Sequence, residues 1–306
     1  MSIELTAIVA GTVAAATPLI FAGLGELVAE RTGVINLGVE GMMLVGAIAG
    51  FAFASQYEAS VASALFMGGL AGTLMALIFA FFTLSLSTNQ SACGLALTIF
   101  GIGISAFLGQ NYVSTALPGL ENLKIPGLVD IPFIGPVLFQ QNYVVYLSIL
   151  AFVLVWWVLS KTRLGLLLKA VGESPESAHA MGYNVLAIRY GAVMFGGAMA
   201  GIGGAFLSTV YTPMWVENMV AGRGWIAIAL VVFAAWKPTR LMLGAYLFGG
   251  VTILQFHAQA LGLEVPNELL SALPYIATII VLVLISHDKK LLKLNLPASL
   301  GKTFSP

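Results

Sequence analysis

Between Ala59 and Leu120 the chain runs for 62 residues without one Asp, Glu, Lys or Arg. No water-soluble domain of this length buries such a run, and it exceeds one membrane crossing, which takes about 20 residues at about 1.5 Å each. In lipid the backbone must satisfy its own hydrogen bonds, so an apolar span of this kind is a helix. The run therefore holds two spans, and the polar stretch Ser85-Leu-Ser-Thr-Asn-Gln90 is the break between them.

Composition excludes the soluble alternatives. Charged residues make up 8% of the chain and mean hydropathy is +0.98, whereas soluble domains carry about 25% charge. Soluble enzymes are ruled out. So are nucleic-acid binders, since the net charge is zero and no basic footprint exists. The single cysteine, Cys93, permits no disulfide framework, and no Cys/His spacing suits a metal. Long unbroken apolar runs do not match the alternating segments of about ten residues in a barrel.

The expected fold is an all-α polytopic membrane protein, one transmembrane domain over residues 1–306, with broken or re-entrant helices. About nine membrane segments are expected (eight to ten), at 5–28, 34–54, 61–84, 91–109, 143–160, 187–208, 225–236, 240–258 and 269–286. The segment 225–236 is too short to span and suits a half-helix or re-entrant piece. Met1–Gly25 lacks the basic start of a secretory leader and reads as a retained first span. With the 161–189 loop inside, eleven Lys and Arg fall on the cytoplasmic side and only Lys124 and Arg223 outside. That bias places the N-terminus outside and the C-terminus in the cytoplasm. The outer loop 110–142, with Pro118, Pro126, Pro132 and Pro136, suits an ordered non-helical cap that receives a partner or shields the pore. Gly46/Gly50, Gly68/Gly72 and Gly197/Gly201 have helix-packing spacing, a weak signal in a chain with 34 glycines.

Two stretches carry chemistry. In the loop 161–189, Ser174 is a good N-cap, Pro175 suits the first helical position and Glu176 complements the helix dipole. Gly182 supplies a left-handed stop. A helix of about two turns over 174–182 is too short to stand alone and needs a partner surface, which Ala178 and Ala180 would let approach. The bland alternative is a capped turn that binds nothing. In the stretch 25–46, glycines interrupt two apolar segments and Asn36 and Glu40 fall inside the second. Polar groups in a span point to a functional cavity. Glu26, Glu30 and Arg31 read as a salt-bridged cap at the interface. Asn89 and Gln90 are either a helix cap or a pore-facing amide pair. His179, His257 and His287 lie apart and read as structural. Gly301-Lys302-Thr303 mimics the end of a phosphate-binding loop, but Leu296 stands where that motif needs glycine.

The order Thr162-Arg-x-Gly165, Lys169-Ala-Val-Gly172-Glu-x-Pro175-x-x-Ala178-x-x-x-Gly182 resembles the ATPase-docking loop of ABC-importer permeases. It is closest to the branch containing branched-chain amino acid, ribose-type sugar and nucleoside permeases. Three stretches look like the nucleoside subgroup: Glu30–Met43, Asn89–Leu97, and Gly222–Ala229 with Trp236-Lys-Pro238. The chain departs from that subgroup at Ala234-Ala235, where glycine and a small polar or basic residue are usual. The resemblance implies a multi-pass permease subunit of the bacterial inner membrane. It implies a second permease, two ABC ATPase subunits and an extracytoplasmic solute-binding lipoprotein as partners. ATP and Mg would sit on the ATPase, with no cofactor on this chain. Gly172, Glu173, Pro175, Ala178 and Gly182 would then couple to the ATPase. Asn36, Glu40, Asn89, Gln90, Thr98 and Trp225 would line the solute pathway, with a purine nucleoside as the expected cargo. A ribose-like sugar or a branched-chain amino acid is the alternative cargo. An ion-coupled carrier with Glu40 as its titrating group is the alternative of another class.

Overall fold

Helices in this chain start where a polar residue interrupts an apolar run, because that residue's side chain can take an unpaired backbone N–H. The computed structural model describes residues 2–260 and 295–304, with residues 269, 272, 273, 276, 279, 280 and 283 between them. Eleven α-helices occur among the described residues: α1 Ser2–Arg31, α2 Val39–Tyr57, α3 Val61–Ala80, α4 Gln90–Gly109, α5 Ile134–Leu138, α6 Tyr143–Lys161, α7 Arg163–Glu173, α8 Pro175–Ala180, α9 Val185–Phe206, α10 Arg223–Phe233 and α11 Pro238–Ala260. Ser60, Asn89, Asn142, Thr162, Ser174 and Asn184 each accept the N–H three residues on, capping α3, α4, α6, α7, α8 and α9. No strand forms among the described residues; Val113 with Trp215 and Ala116 with Met214 make only isolated bridges.

Among the described residues seven helices are long and apolar enough to cross a membrane: those at Leu5–Arg31, Val39–Tyr57, Val61–Ser85, Gln90–Tyr112, Tyr143–Lys161, Val185–Tyr211 and Pro238–Gln259. The protein is a multi-pass helical membrane protein, with seven such spans among the described residues against the nine or so segments expected. The expected segment at 225–236 is the short helix α10, and 269–286 lies largely outside the described residues. Two boundaries differ as well. Asn36 lies before α2 rather than inside it, because the chain stays non-helical to Gly38. The loop 110–142 is not free of helix: it holds a 3-10 turn at Gln110–Tyr112 and the short α5.

The three glycine pairs converge. A Cβ on Gly46 would strike the Gly201 backbone, one on Gly68 the Gly201 carbonyl and the Ala205 side chain, and one on Gly72 the Gly197 carbonyl. Helices α2, α3 and α9 thus meet backbone to backbone, the contact small residues permit in lipid. With α1 they enclose a core that includes Phe21, Phe51, Phe79 and Phe206, all fully buried. Helices α4, α6 and α11 lie outside this core and leave most of their surface uncovered.

Candidate functional site

Helix α1 stops at Arg31 and α2 begins at Val39, so residues 32–38 cross the interior without helix. Unsatisfied backbone is not tolerated at that depth, and several of its groups bond to side chains, most of them from other elements. The Ile35 N–H donates to Gln90 Oε1 at 2.9 Å, and the Asn36 N–H to Glu26 Oε1 at 3.0 Å. Asn36 Oδ1 takes the Gly38 N–H at 2.9 Å, and Thr98 Oγ1 donates to the Leu37 carbonyl at 2.9 Å. The Arg189 Nε donates to the Thr32 carbonyl at 3.0 Å. A Cβ on Gly94 of α4 would strike the Leu37 and Gly38 amides, so the segment lies directly on α4.

A second interruption faces the first. The chain leaves α9 and runs without α-helix from Thr212 to Gly222, where Gly222 has a φ of +80°, and then begins α10. Glu40, on the first turn of α2, caps this helix from outside it. Its Oε1 accepts the Gly222 N–H at 2.8 Å and its Oε2 the Gly224 N–H at 2.6 Å. A carboxylate there satisfies the exposed donors and the positive end of the helix dipole together. Eleven residues make α10 about 16 Å long, half a crossing. It descends to Trp236, whose indole donates to Glu30 Oε2 at 2.6 Å.

Around the end of α1 the expected salt-bridged cap is not formed. Glu26, Glu30 and Arg31 are buried, and they bond to backbone groups and an indole rather than to one another. Arg31 holds the Trp236 carbonyl at 2.6 Å and the Asn295 carbonyl at 3.1 Å. The carboxylates turn toward the interrupted segment and α10, where unpaired donors wait, because a buried donor without an acceptor costs more than an ion pair at a surface returns.

The 161–189 loop is bound to the same region. The Ser174 Oγ accepts the Ser177 N–H at 3.2 Å, Pro175 opens α8, and Gly182 has a φ of +88°. Ala178 is fully buried against Val171, Val185 and Phe304, so it anchors α8 to its own chain and is not on the approach face. The exposed residues are Glu176, Ser177, His179 and Ala180, with Glu173 exposed at the end of α7. Gly172 is pressed on the Arg31 carbonyl, and a Cβ there would collide with it. Residues 295–304 then bind both parts. Ser299 donates from its N–H (2.9 Å) and Oγ (2.7 Å) to the Gly172 carbonyl, and the Gly301 N–H to the Gly33 carbonyl at 3.0 Å. Arg189, fully buried, reaches Ser299 Oγ at 3.1 Å and the Lys302 carbonyl at 3.3 Å.

Of the residues singled out from sequence, Asn36, Gln90 and Thr98 come together on the interrupted segment, while Glu40 and Trp225 meet at the start of α10. Gln90 Nε2 is buried and unpartnered, a donor left over beside that segment. Asn89 is exposed and caps α4 through the Ala92 N–H at 3.0 Å. With Gln90 it borders a polar cavity of about 470 Å³ closed by Gly301, Lys302 and Thr303. Sequence reasoning missed Glu26 and Arg189. Glu26 stands four residues inside Glu30 in an apolar helix, the one signal that sets it apart from the interface charges. Arg189 carries no local signal that separates it from the other cations of the 161–189 loop.

A family described as the branched-chain amino acid transport system permease component matches residues 8–282. The chain is 41% identical to a putative glucose ABC transporter permease of Haloferax volcanii, with 96% of each chain covered. It is 34% identical to a nucleoside ABC transporter permease of Lactococcus lactis, covering 90% of this chain and 91% of that one. It is also 34% identical to a guanosine ABC transporter permease of Bacillus subtilis, with 91% of each covered.

Proposed function

We propose that this chain, which belongs to the branched-chain amino acid transport system permease family and is an ABC transporter permease subunit, imports a nucleoside-type solute across the bacterial inner membrane. The observation that carries the reading is mechanical. The exposed helix α8 is fastened to the interrupted segment 32–38 through Gly172 on Arg31, Ser299 on Gly172 and Arg189 on Thr32. A push on α8 therefore reaches residues whose backbone is held by Gln90, Thr98 and Glu26 rather than by a helix. Two ABC ATPase subunits, carrying ATP and Mg, would supply that push from the cytoplasm, where the 161–189 loop and the C-terminus lie. Glu173, Pro175 and Gly182 set the ends and pose of the coupling helix. A second permease, like or unlike, would complete the pathway, and a solute-binding lipoprotein would deliver cargo from outside.

The chemistry along the pathway favours a neutral solute. Asn36, Gln90 and Thr98 are neutral amide and hydroxyl side chains that hold the interrupted segment, with Gln90 Nε2 left over, Trp225 adds an exposed indole, and both oxygens of Glu40 are committed to backbone donors. That commitment also weighs against the ion-coupled carrier, which needs Glu40 free. The 41% identity to a relative named for glucose favours a sugar as the second reading. The test is gentle solubilisation from native membranes, mass spectrometry of the co-purifying chains, and calorimetry of the recovered lipoprotein with guanosine, adenosine and glucose. Nucleoside binding supports the proposal and glucose binding replaces the cargo. Recovery of this chain alone, under conditions that hold other complexes together, defeats the importer reading.

A further inference from the structure

Three spans end together on the face carrying the 161–189 loop. There α1 stops at Arg31, α6 stops at Lys161, and α11 begins at Pro238. Between their ends lies a cavity of about 230 Å³ lined by Arg31, Lys169, Lys237, Trp156 and Thr239 among others. Among the described residues its three charged groups are all cations, and no described carboxylate lines it. Glu30 is bonded to the Trp236 indole, and Glu173 acts on Arg31 from outside the lining. Arg31 is nine-tenths buried, with its Nε unpartnered while its other nitrogens hold two carbonyls. Burial, and after it the Arg31 charge, push the Lys169 ammonium below its ordinary range. The site gathers positive charge, with no anion of its own among the described residues.

Its depth and borders identify the missing anion. Where spans end, the membrane presents head groups, and tryptophan sits at that level. Trp156 lines the cavity and is partly exposed. From the cavity, helical spacing carries an exposed apolar stripe outward along each wall: Trp156 and Val153 on α6, Leu243 and Leu247 in line with Thr239 on α11. We propose that this cavity binds the phosphate of an anionic phospholipid, whose acyl chains lie along the α6 and α11 stripes. Basic pockets between helix ends are suited to such head groups. The Trp236-Lys-Pro238 turn then has a task separate from solute passage: it presents Lys237 to the lipid while its indole stays on Glu30. Free phosphate shares the head-group chemistry but makes no use of the stripes.

The experiment uses the full-length chain, delipidated in a neutral detergent. It is titrated with phosphatidylglycerol, phosphatidylcholine or inorganic phosphate, with bound lipid counted by native mass spectrometry and melting followed in parallel. Phosphatidylglycerol is expected to stay bound and raise the melting temperature, and the other two are not. Lys169→Gln and Lys237→Gln are each expected to weaken phosphatidylglycerol binding about five-fold, while melting in phosphatidylcholine stays at the wild-type value. Equal retention of phosphatidylcholine, or unchanged phosphatidylglycerol binding by the double variant, overturns the proposal. If inorganic phosphate reproduces the stabilisation and competes the lipid away, the cavity is a free-anion site and the lipid assignment is wrong.

Discussion

The Glu40 carboxylate receives the Gly224 amide at 2.6 Å, joining α2 to the first turn of α10 across 184 residues of chain. With the Gly222 bond it makes two charge-assisted contacts, each worth about 1.5–3 kcal/mol. Glu40→Gln retains the shape but turns an NH₂ toward a backbone donor, so one bond is lost. The variant is expected to be about 2 kcal/mol less stable and to transport poorly, and Glu40→Ala to lose more. Thermal melting of the purified variants decides this. Wild-type melting of Glu40→Gln would show that the cap does not hold α10.

Two glycines on one helix give a paired test of close packing. A Cβ on Gly101 would collide with the Gly41 backbone of α2, whereas one on Gly103 meets nothing within 4 Å. Gly101→Ala must push α4 away from α2, at a cost of about 1–3 kcal/mol. Gly103→Ala is expected to be neutral or to gain up to about 1 kcal/mol from helix propensity. Similar melting temperatures for the two would contradict the α2–α4 contact.

Seven of the spans were readable because lipid demands long charge-free runs, and chain length alone then limits their number. The caps were readable for the same local reason: Ser174 with Pro175, or Asn89 before Ser91, act within one turn. What escaped is contact between distant segments. Nothing near Glu40 announces that Gly222 and Gly224 will lie against it, so it read as a free polar group in a span. Ala178 read as a surface for a partner because its neighbours are small and polar, but burial by Phe304 depends on a segment more than a hundred residues on. The glycine pairs looked uninformative one at a time, and only their joint meeting at Gly201 gives them meaning.

That placement of Ala178 separates folding from coupling on α8. Ala178→Trp overfills a fully buried position and is expected to lower stability by about 1–3 kcal/mol or more. Ala180→Trp, on the exposed side, is expected to fold normally yet block association with an ATPase. Melting curves and co-purification of the ATPase read the two effects separately. Normal ATPase recovery with Ala180→Trp would remove this face of α8 from the docking surface.

Ala235 has a φ of +47°, and Trp236 one of +55°. The left-handed region costs a non-glycine residue about 1–2 kcal/mol, part of which glycine gives back in unfolded-chain entropy. Ala235 stands where the nucleoside-type pattern has glycine nearby, and the turn it strains is the one that aims the Trp236 indole at Glu30. Ala235→Gly is therefore expected to stabilise the protein by up to about 1 kcal/mol, visible as a higher melting temperature. A loss of stability would mean the Ala235 methyl has packing value greater than the strain.

Arg189 joins three segments that are remote in sequence: Thr32 in the interrupted stretch, Ser299 and Lys302 near the C-terminus, and its own α9. Its guanidinium sends donors in three directions from one fully buried position. A lysine ammonium on a flexible stem cannot reproduce that fork. Arg189→Lys is therefore expected to lose at least one buried bond and about 2–3 kcal/mol. Ser299→Ala, which removes one acceptor of Arg189 and the donor to Gly172, should cost about 1–2 kcal/mol. Because the two sites share a bond, the double variant should cost less than the sum of the singles. Full additivity in a melting-temperature cycle would show that Arg189 and Ser299 act independently, and the link from residues 295–304 to the interrupted segment would then rest on the Gly301 N–H and on the Arg189 bond to the Lys302 carbonyl.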